Sequence, residues 1–185
     1  LPPFGVMFQG GALFGSLSVG ENVGLALEEW TALPPDAIRA VARAKLRLVG
    51  LEEAIDKFPS ELSGGMKKRA AIARALVLDP DLVFLDETSA GLDPVTSAEL
   101  DQLVVTLNRT LGLSVVLVTH ELESVFAVAH RCVLLDKETR GILAEGDPRA
   151  RLLLIRRGRI ELTRVDVYGA RRPVVTLVRG DLLGE

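Results

Sequence analysis

The chain has 185 residues, with 22 Lys and Arg against 25 Asp and Glu, a formal net charge of -3, and 48% hydrophobic residues. This suits one domain, with or without a piece of a second, of ordinary globular composition, and no basic surplus asks for nucleic acid. The single Cys132 excludes an internal disulfide framework and fits a reducing cytoplasm. Apolar runs such as "SVVLVT" (114–119) are too short to span a bilayer, so any membrane work needs a partner.

In chain order, "GVMFQ" (5–9) reads as a strand ending at Gln9, and Asp36 to Val49, set between Pro34–Pro35 and Gly50, reads as a helix. "LSGGMKKRAAIARAL" (62–76) predicts a helix capped by Ser63, where Gly64 and Gly65 carry no Cβ and leave backbone N–H groups open to an anion. "LVFLD" (82–86) is a short apolar run of the kind buried in a parallel sheet. After Pro94 a helix is expected with Leu100, Leu103, Val104, Leu107 and Leu111 on one face. "SVVLVTH" (114–120) is the next strand, "ELESVFAVA" a helix, and "RCVLLD" and "GILAEG" closing strands. This alternation from Gly5 to about Gly146 predicts a layered α/β domain. After Pro148 short β runs broken by "RRG", "YGARR" and "RGD" predict an antiparallel β module, with the boundary near 147–151.

Chemistry gathers at the strand ends. Asp86 and Glu87 close an apolar strand, where carboxylates face the ligand crevice of an α/β sheet. Asp86 is placed to hold a hydrated Mg²⁺, and Glu87 to polarise a water for attack on a γ-phosphate. His120, ending the next strand, can donate to a terminal phosphate or orient Glu87. Gln9 can ligate Mg²⁺ through its carbonyl and position water.

The order Gln9, "LSGGM", "LVFLDE", "SAGLDP", His120 closely resembles the ATP-binding cassette (ABC) family, matching its Q-loop, signature, Walker B strand, D-loop and H-loop over residues 4 to 147. The resemblance implies a P-loop NTPase-like ABC nucleotide-binding domain, ATP and Mg²⁺ as cofactors, and a homodimer. In such a dimer Leu62, Ser63, Gly64, Gly65 and Met66 would close on ATP held by the second ABC subunit, and Asp93 would couple the two sites. Two departures stand out. The family's "DEPT" reads "DETS", with Thr88 in place of Pro, which is expected to loosen that turn slightly. No GxxxxGK[ST] occurs, and the family places that loop before Gln9. The expectation is a fragment of a longer protein, inactive alone, with an unfilled core face where the preceding strands and helix would pack.

"GVMFQGGALFGSLSVGENV", "FPSELSGGMKKRAAIARAL" and "THELESVFAVAHRCVLLD" look like the Mla-type branch, ATPases of bacterial phospholipid transporters. That likeness implies membrane permease subunits, a lipid-binding shuttle and a cytoplasmic position on the inner face of the bacterial cytoplasmic membrane. It makes Phe14 to Glu29 part of a permease-docking face, with Trp30 read as a packing residue. The tail resembles the first half of a cyclic-nucleotide-binding β-roll, whose phosphate cassette would begin at Gly184 and Glu185. The expected organisation is therefore a partial ABC ATPase domain at 1–147 and a partial β-roll at 148–185. Two other readings compete. A soluble cassette ATPase of repair or translation would be expected to show a second cassette or a coiled-coil insertion, and neither is seen. A regulatory protein without catalysis would lack the phosphate loop altogether.

Overall fold

The computed structural model describes residues 4–130, 159–165 and 171–178. The chain divides into two units, Leu1–Ser124 and Val125–Glu185. In the first, strand β1 (Phe4–Met7) is followed by helices α1 (Val19–Trp30) and α2 (Pro35–Leu48), then by 3-10 turns at Glu52–Ala54 and Pro59–Glu61. Helix α3 (Gly64–Ala75), strand β2 (Leu82–Asp86), helix α4 (Pro94–Leu111) and strand β3 (Ser114–Val118) complete it, and helix α5 (Leu122–Val128) begins at its end.

Each helix is bounded by local chemistry. Ser18 and Glu21 form a reciprocal capping box at α1, with Glu21 N–H donating to Ser18 Oγ at 3.2 Å and Ser18 N–H to Glu21 Oε2 at 2.6 Å. Pro35 opens α2, and Ile38, Ala42 and Leu46, spaced four apart, are its buried stripe. Asp93 caps α4, and Gly112 ends it in the left-handed conformation with φ 67°, its N–H donating to the Asn108 carbonyl. Helices α1, α2 and α3 pack on one another as a helical layer, and α3 also touches β1 and α4.

The sheet is parallel, in the order β1-β2-β3, with Met7 opposite Leu85 and Leu85 opposite Leu117. Strands β1 and β3 flank β2, so the carboxyl ends of all three lie along one edge. Met7, Val83 and Leu85 are buried core residues. Close approach of β1 to the end of α3 demands Gly5, because a Cβ there would lie 2.0 Å from the Ala75 carbonyl oxygen.

Three expectations change. The first strand stops at Met7, and Gln9 lies in the turn beyond it, where Gly10, Gly11 and Ala12 all take positive φ. Leu111, expected on the apolar face, is exposed at the last turn of α4, beyond the reach of the core. Trp30, read as packing, is 58% exposed because it is the last residue of α1, at the rim of a groove rather than beneath a neighbour.

In the second unit β4 (Arg159–Val165) and β5 (Arg171–Val178) pair antiparallel, with a register irregularity between Leu162 and Thr163. The expected strands "RCVLLD" and "GILAEG", Cys132, and Gly184 with Glu185 lie outside the described residues.

Candidate active site

Asp86 is the last residue of β2, and Glu87, Gln9 and His120 follow the carboxyl ends of the three adjacent parallel strands. Gln9 lies two residues past the Met7–Leu85 pair, as Glu87 does, and His120 lies two past Val118, which pairs with Asp86. Glu87 continues the β2–β3 ladder by donating its N–H to the Val118 carbonyl at 2.9 Å, and then leaves it with φ 51°. That left-handed turn swings the carboxylate towards His120. Glu87 Oε1 accepts from His120 Nδ1 at 2.8 Å, with the Glu87 side chain 17% and the His120 side chain 74% exposed. A carboxylate only accepts, so the bond fixes the proton on Nδ1 and presents Nε2 as the second ring nitrogen. The same bond, and then the charge of Glu87, raise the His120 pKa above the usual imidazole value.

Glu87 Oε2 is buried and has no hydrogen-bond partner among the described residues. One carboxylate oxygen is thus committed to His120 and the other is an acceptor without a partner. Thr88 Oγ1 is likewise buried without a partner. The turn bearing Thr88 is enclosed, since Thr88 and Ser89 are both fully buried. Such an unmet hydroxyl costs about 1–3 kcal/mol.

The signature helix begins as expected. Ser63 caps α3, its Oγ accepting from Met66 N–H at 3.3 Å. Ser63 and Gly64 are exposed, whereas Leu62 and Gly65 are buried and Met66 is half-buried. A Cβ on Gly65 would lie 2.6 Å from Thr96 Cγ2, so this glycine admits α4 as well as baring the backbone. Asp93, at the start of α4, accepts from Val95 N–H, Thr96 N–H and Thr96 Oγ1, the last at 2.6 Å, and the Thr96 hydroxyl lowers its pKa. Among the described residues no hydrogen bond joins Gln9 or the signature start to the Glu87–His120 pair.

Sequence reasoning missed two groups. Lys68, in the "KKR" run with no role assigned from the sequence, is 6% exposed and donates from Nζ to the Glu87 carbonyl at 2.6 Å. Burial lowers its pKa against the opposing pull of Glu87, Asp86 and Glu121. Asn22, fully buried, accepts from Phe14 N–H at 2.8 Å and donates to the carbonyls of Phe14, Leu17 and Ser18, which fixes the loop after Gln9. That loop borders a groove of about 750 Å³ rimmed by Phe8, Phe14, Leu25 and Trp30.

No group of three or more His, Cys, Asp or Glu fit to hold a metal exists among the described residues. Asp86 alone would leave most of a cation's coordination to water and phosphate oxygens, which suits Mg²⁺ and not a metal needing a full protein cage. No described helix is long and apolar enough to cross a membrane.

Residues 3–90 match the family model for the ABC transporter. The chain is 42% identical over 156 residues to the intermembrane phospholipid transport system ATP-binding protein MlaF of Escherichia coli K12, covering 80% of this chain and 58% of that protein. It is 49% identical over 117 residues to a probable ribonucleotide transport ATP-binding protein mkl of Mycobacterium leprae, covering 63% of this chain and 34% of that one. The chain therefore spans little more than half, or less, of the length of these relatives. Among solved structures, the ATP-binding cassette MJ0796 in a dimeric post-hydrolysis state bound to ADP and Pi aligns with TM-score 0.61 and 32% identity, over 71% of this chain and 58% of that one. The cbiO1 protein of Clostridium perfringens, part of the cbiONQ ABC transporter complex, aligns with TM-score 0.64 and 35% identity, over 70% of this chain and 51% of that one. Motif order, parallel sheet and these relatives agree in one likeness: residues 3–90 match the ABC transporter family, and the chain around them is similar to ATP-binding subunits of such transporters.

Proposed function

We propose that the chain is part of an ATP-hydrolysing subunit that powers a bacterial phospholipid transporter. The observation that carries this is Glu87, with one oxygen held by His120 at 2.8 Å and the other buried without a hydrogen-bond partner among the described residues. In the proposed reaction Glu87 Oε2 accepts the proton of the attacking water. His120, in the imidazolium form that its bond to Glu87 favours, donates through Nδ1 to Glu87 and turns its second N–H, at Nε2, to the terminal phosphate, where developing charge needs a donor. Gln9, on the turn after β1, positions the water. Asp86 would hold Mg²⁺ together with Gln9, and the cation would neutralise charge on the transferred phosphoryl group. Ser63, Gly64 and Gly65, with Leu62 and Met66 beside them, offer a capped helix start to ATP held by a second subunit, and Asp93 couples the two sites.

Two relatives carry different cargo in their names, phospholipid for MlaF and ribonucleotide for mkl. The MlaF match runs through a larger share of the chain and favours phospholipid. Exposed Phe8, Phe14 and Trp30 around the groove supply the apolar surface that membrane permease subunits would engage. A lipid-binding shuttle completes the proposed assembly, peripheral on the inner face of the cytoplasmic membrane. Residues 148–185 enter the proposal as a partial cyclic-nucleotide-binding-like module, on the likeness of their sequence.

The test is ATP turnover by the protein expressed from its complete reading frame, with and without Glu87→Gln. Loss of about 10²-fold or more in kcat with nucleotide binding retained is expected. Unchanged steady-state turnover would remove Glu87 from the chemistry.

A further inference from the structure

Two cations of α3 have no part in the reaction proposed above, and both end on main-chain carbonyls. Lys68 Nζ donates to the Glu87 carbonyl at 2.6 Å. Arg74 donates from Nη1 to the Ala12 carbonyl and from Nη2 to the Gly11 carbonyl, both at 2.8 Å. The three acceptors share a property: Glu87, Gly11 and Ala12 all have positive φ, at 51°, 82° and 45°. Among the described residues only Ala12, Asp79 and Glu87 take positive φ without being glycine, and cations of α3 hold two of these three. The left-handed region is disfavoured for a residue with a Cβ and persists where surrounding contacts over-determine it. A buried ammonium and a guanidinium fork aimed at carbonyls are contacts of that kind.

The turn after Gln9 also rides on the helix itself. A Cβ on Gly11 would lie 3.3 Å from Ala71 Cβ and 3.4 Å from the Lys67 carbonyl oxygen, so the turn is in van der Waals reach of α3 at the same level. Lys68 lies one turn from the Ser63 cap, and Arg74 lies near the other end of the helix. One helix therefore touches the signature start, the backbone that aims Glu87, and the backbone that carries Gln9.

We propose that α3 is a brace within the chain, in which Lys68 and Arg74 are positioning residues that hold Glu87 and the Gln9 turn in their left-handed conformations. Its catalytic consequence rests on the reading of Glu87 and Gln9 as ATPase residues, whereas the brace itself does not. When a nucleotide engages Ser63, the helix that receives it is the one that fixes both groups.

Amide hydrogen exchange on the 185-residue chain tests the brace. Lys68→Met is expected to speed exchange of the Glu87 N–H, bonded to Val118, by about tenfold, and Arg74→Met to do the same at the Gly11 N–H, bonded to Phe8. Amides of Leu100 to Leu107 in α4 stay unchanged, and Lys68→Arg restores slow exchange at Glu87. Unaltered exchange at both sites overturns the brace, as does a uniform rise that includes α4. In the protein from the complete reading frame, both Met variants should lower kcat about tenfold while KM for MgATP stays within about twofold. Altered exchange with full kcat overturns the positioning role. Absence of hydrolysis in the unsubstituted protein overturns the ATPase reading, and exchange then still decides the brace.

Discussion

Glu87 accepts from His120 through one oxygen while the other stays unbonded, so the one hydrogen bond on this carboxylate among the described residues comes from an exposed imidazole. The consequence is measurable as a pKa. His120 is raised by that bond, so its protonated form is favoured in the folded chain; the associated stability is complete below the unfolded value of about 6.5 and is lost as pH rises through the folded value. Glu87→Gln keeps an acceptor but removes the charge. An NMR titration of the His120 ring should then show a lower pKa than in the parent, and an identical titration would mean that the pair does not form in solution. The meeting of Glu87 with His120 was legible in the sequence because each follows an apolar strand, and the pair together, not either residue alone, pointed to their contact. Lys68 was not. A cation in "KKR" on a helix has the same local signature whether solvated or buried, and only the arrival of Glu87 from 19 residues further along the chain distinguishes them.

At the scale of elements, the meeting of α3 and α4 ties the signature to the D-loop cap. Gly65 is buried against Thr96, and Thr96 in turn donates to Asp93 at 2.6 Å. A methyl at position 65 would sit 2.6 Å from Thr96 Cγ2, closer than real side chains approach, so Gly65→Ala should destabilise the chain by about 1–3 kcal/mol in denaturant unfolding. Thr96→Ser removes that methyl and retains the hydroxyl on Asp93. Combined with Gly65→Ala it should recover most of the loss, giving a coupling energy of about 1 kcal/mol or more; strict additivity would place the strain elsewhere. Sequence reading assigned Gly65 to an open helix start, because "SGG" shows the cap and the missing Cβ but not the neighbouring helix. Helix α2, by contrast, was legible to within a residue, since Pro34–Pro35 and Gly50 punctuate it and the buried positions recur at four-residue spacing. Strand β1 ended earlier than its apolar run, since Gly10 and Gly11 open a turn at positive φ that closes with the Gly11 N–H on the Phe8 carbonyl, and Arg74 meets its Gly11 and Ala12 carbonyls.

For the molecule as a whole, the parallel sheet raises a question of coverage. Parallel sheets ordinarily have both faces buried. Here one face carries Met7, Val83 and Leu85 into the core, while the alternate positions Phe4, Val116 and Val118 stay exposed, the two valines at 42% and 49%. Phe4 stacks edge-on against Phe84 at 5.7 Å, so the second face is a continuous apolar strip and not a scatter of single residues. Apolar strips of this kind drive association, and the net charge of -3 offers little repulsion against it. The 185-residue chain should therefore self-associate with rising concentration and bind an apolar dye. Thr substituted for Val116 and Val118 keeps the branched shape that strands favour while placing a hydroxyl in each position. In sedimentation velocity the double variant should shift towards monomer and bind less dye, with a change in Tm of no more than a few degrees because neither valine lies in the core. Equal association and equal dye binding in the two proteins would show that the strip is covered in solution, and the sheet would then owe its second face to residues of the same chain.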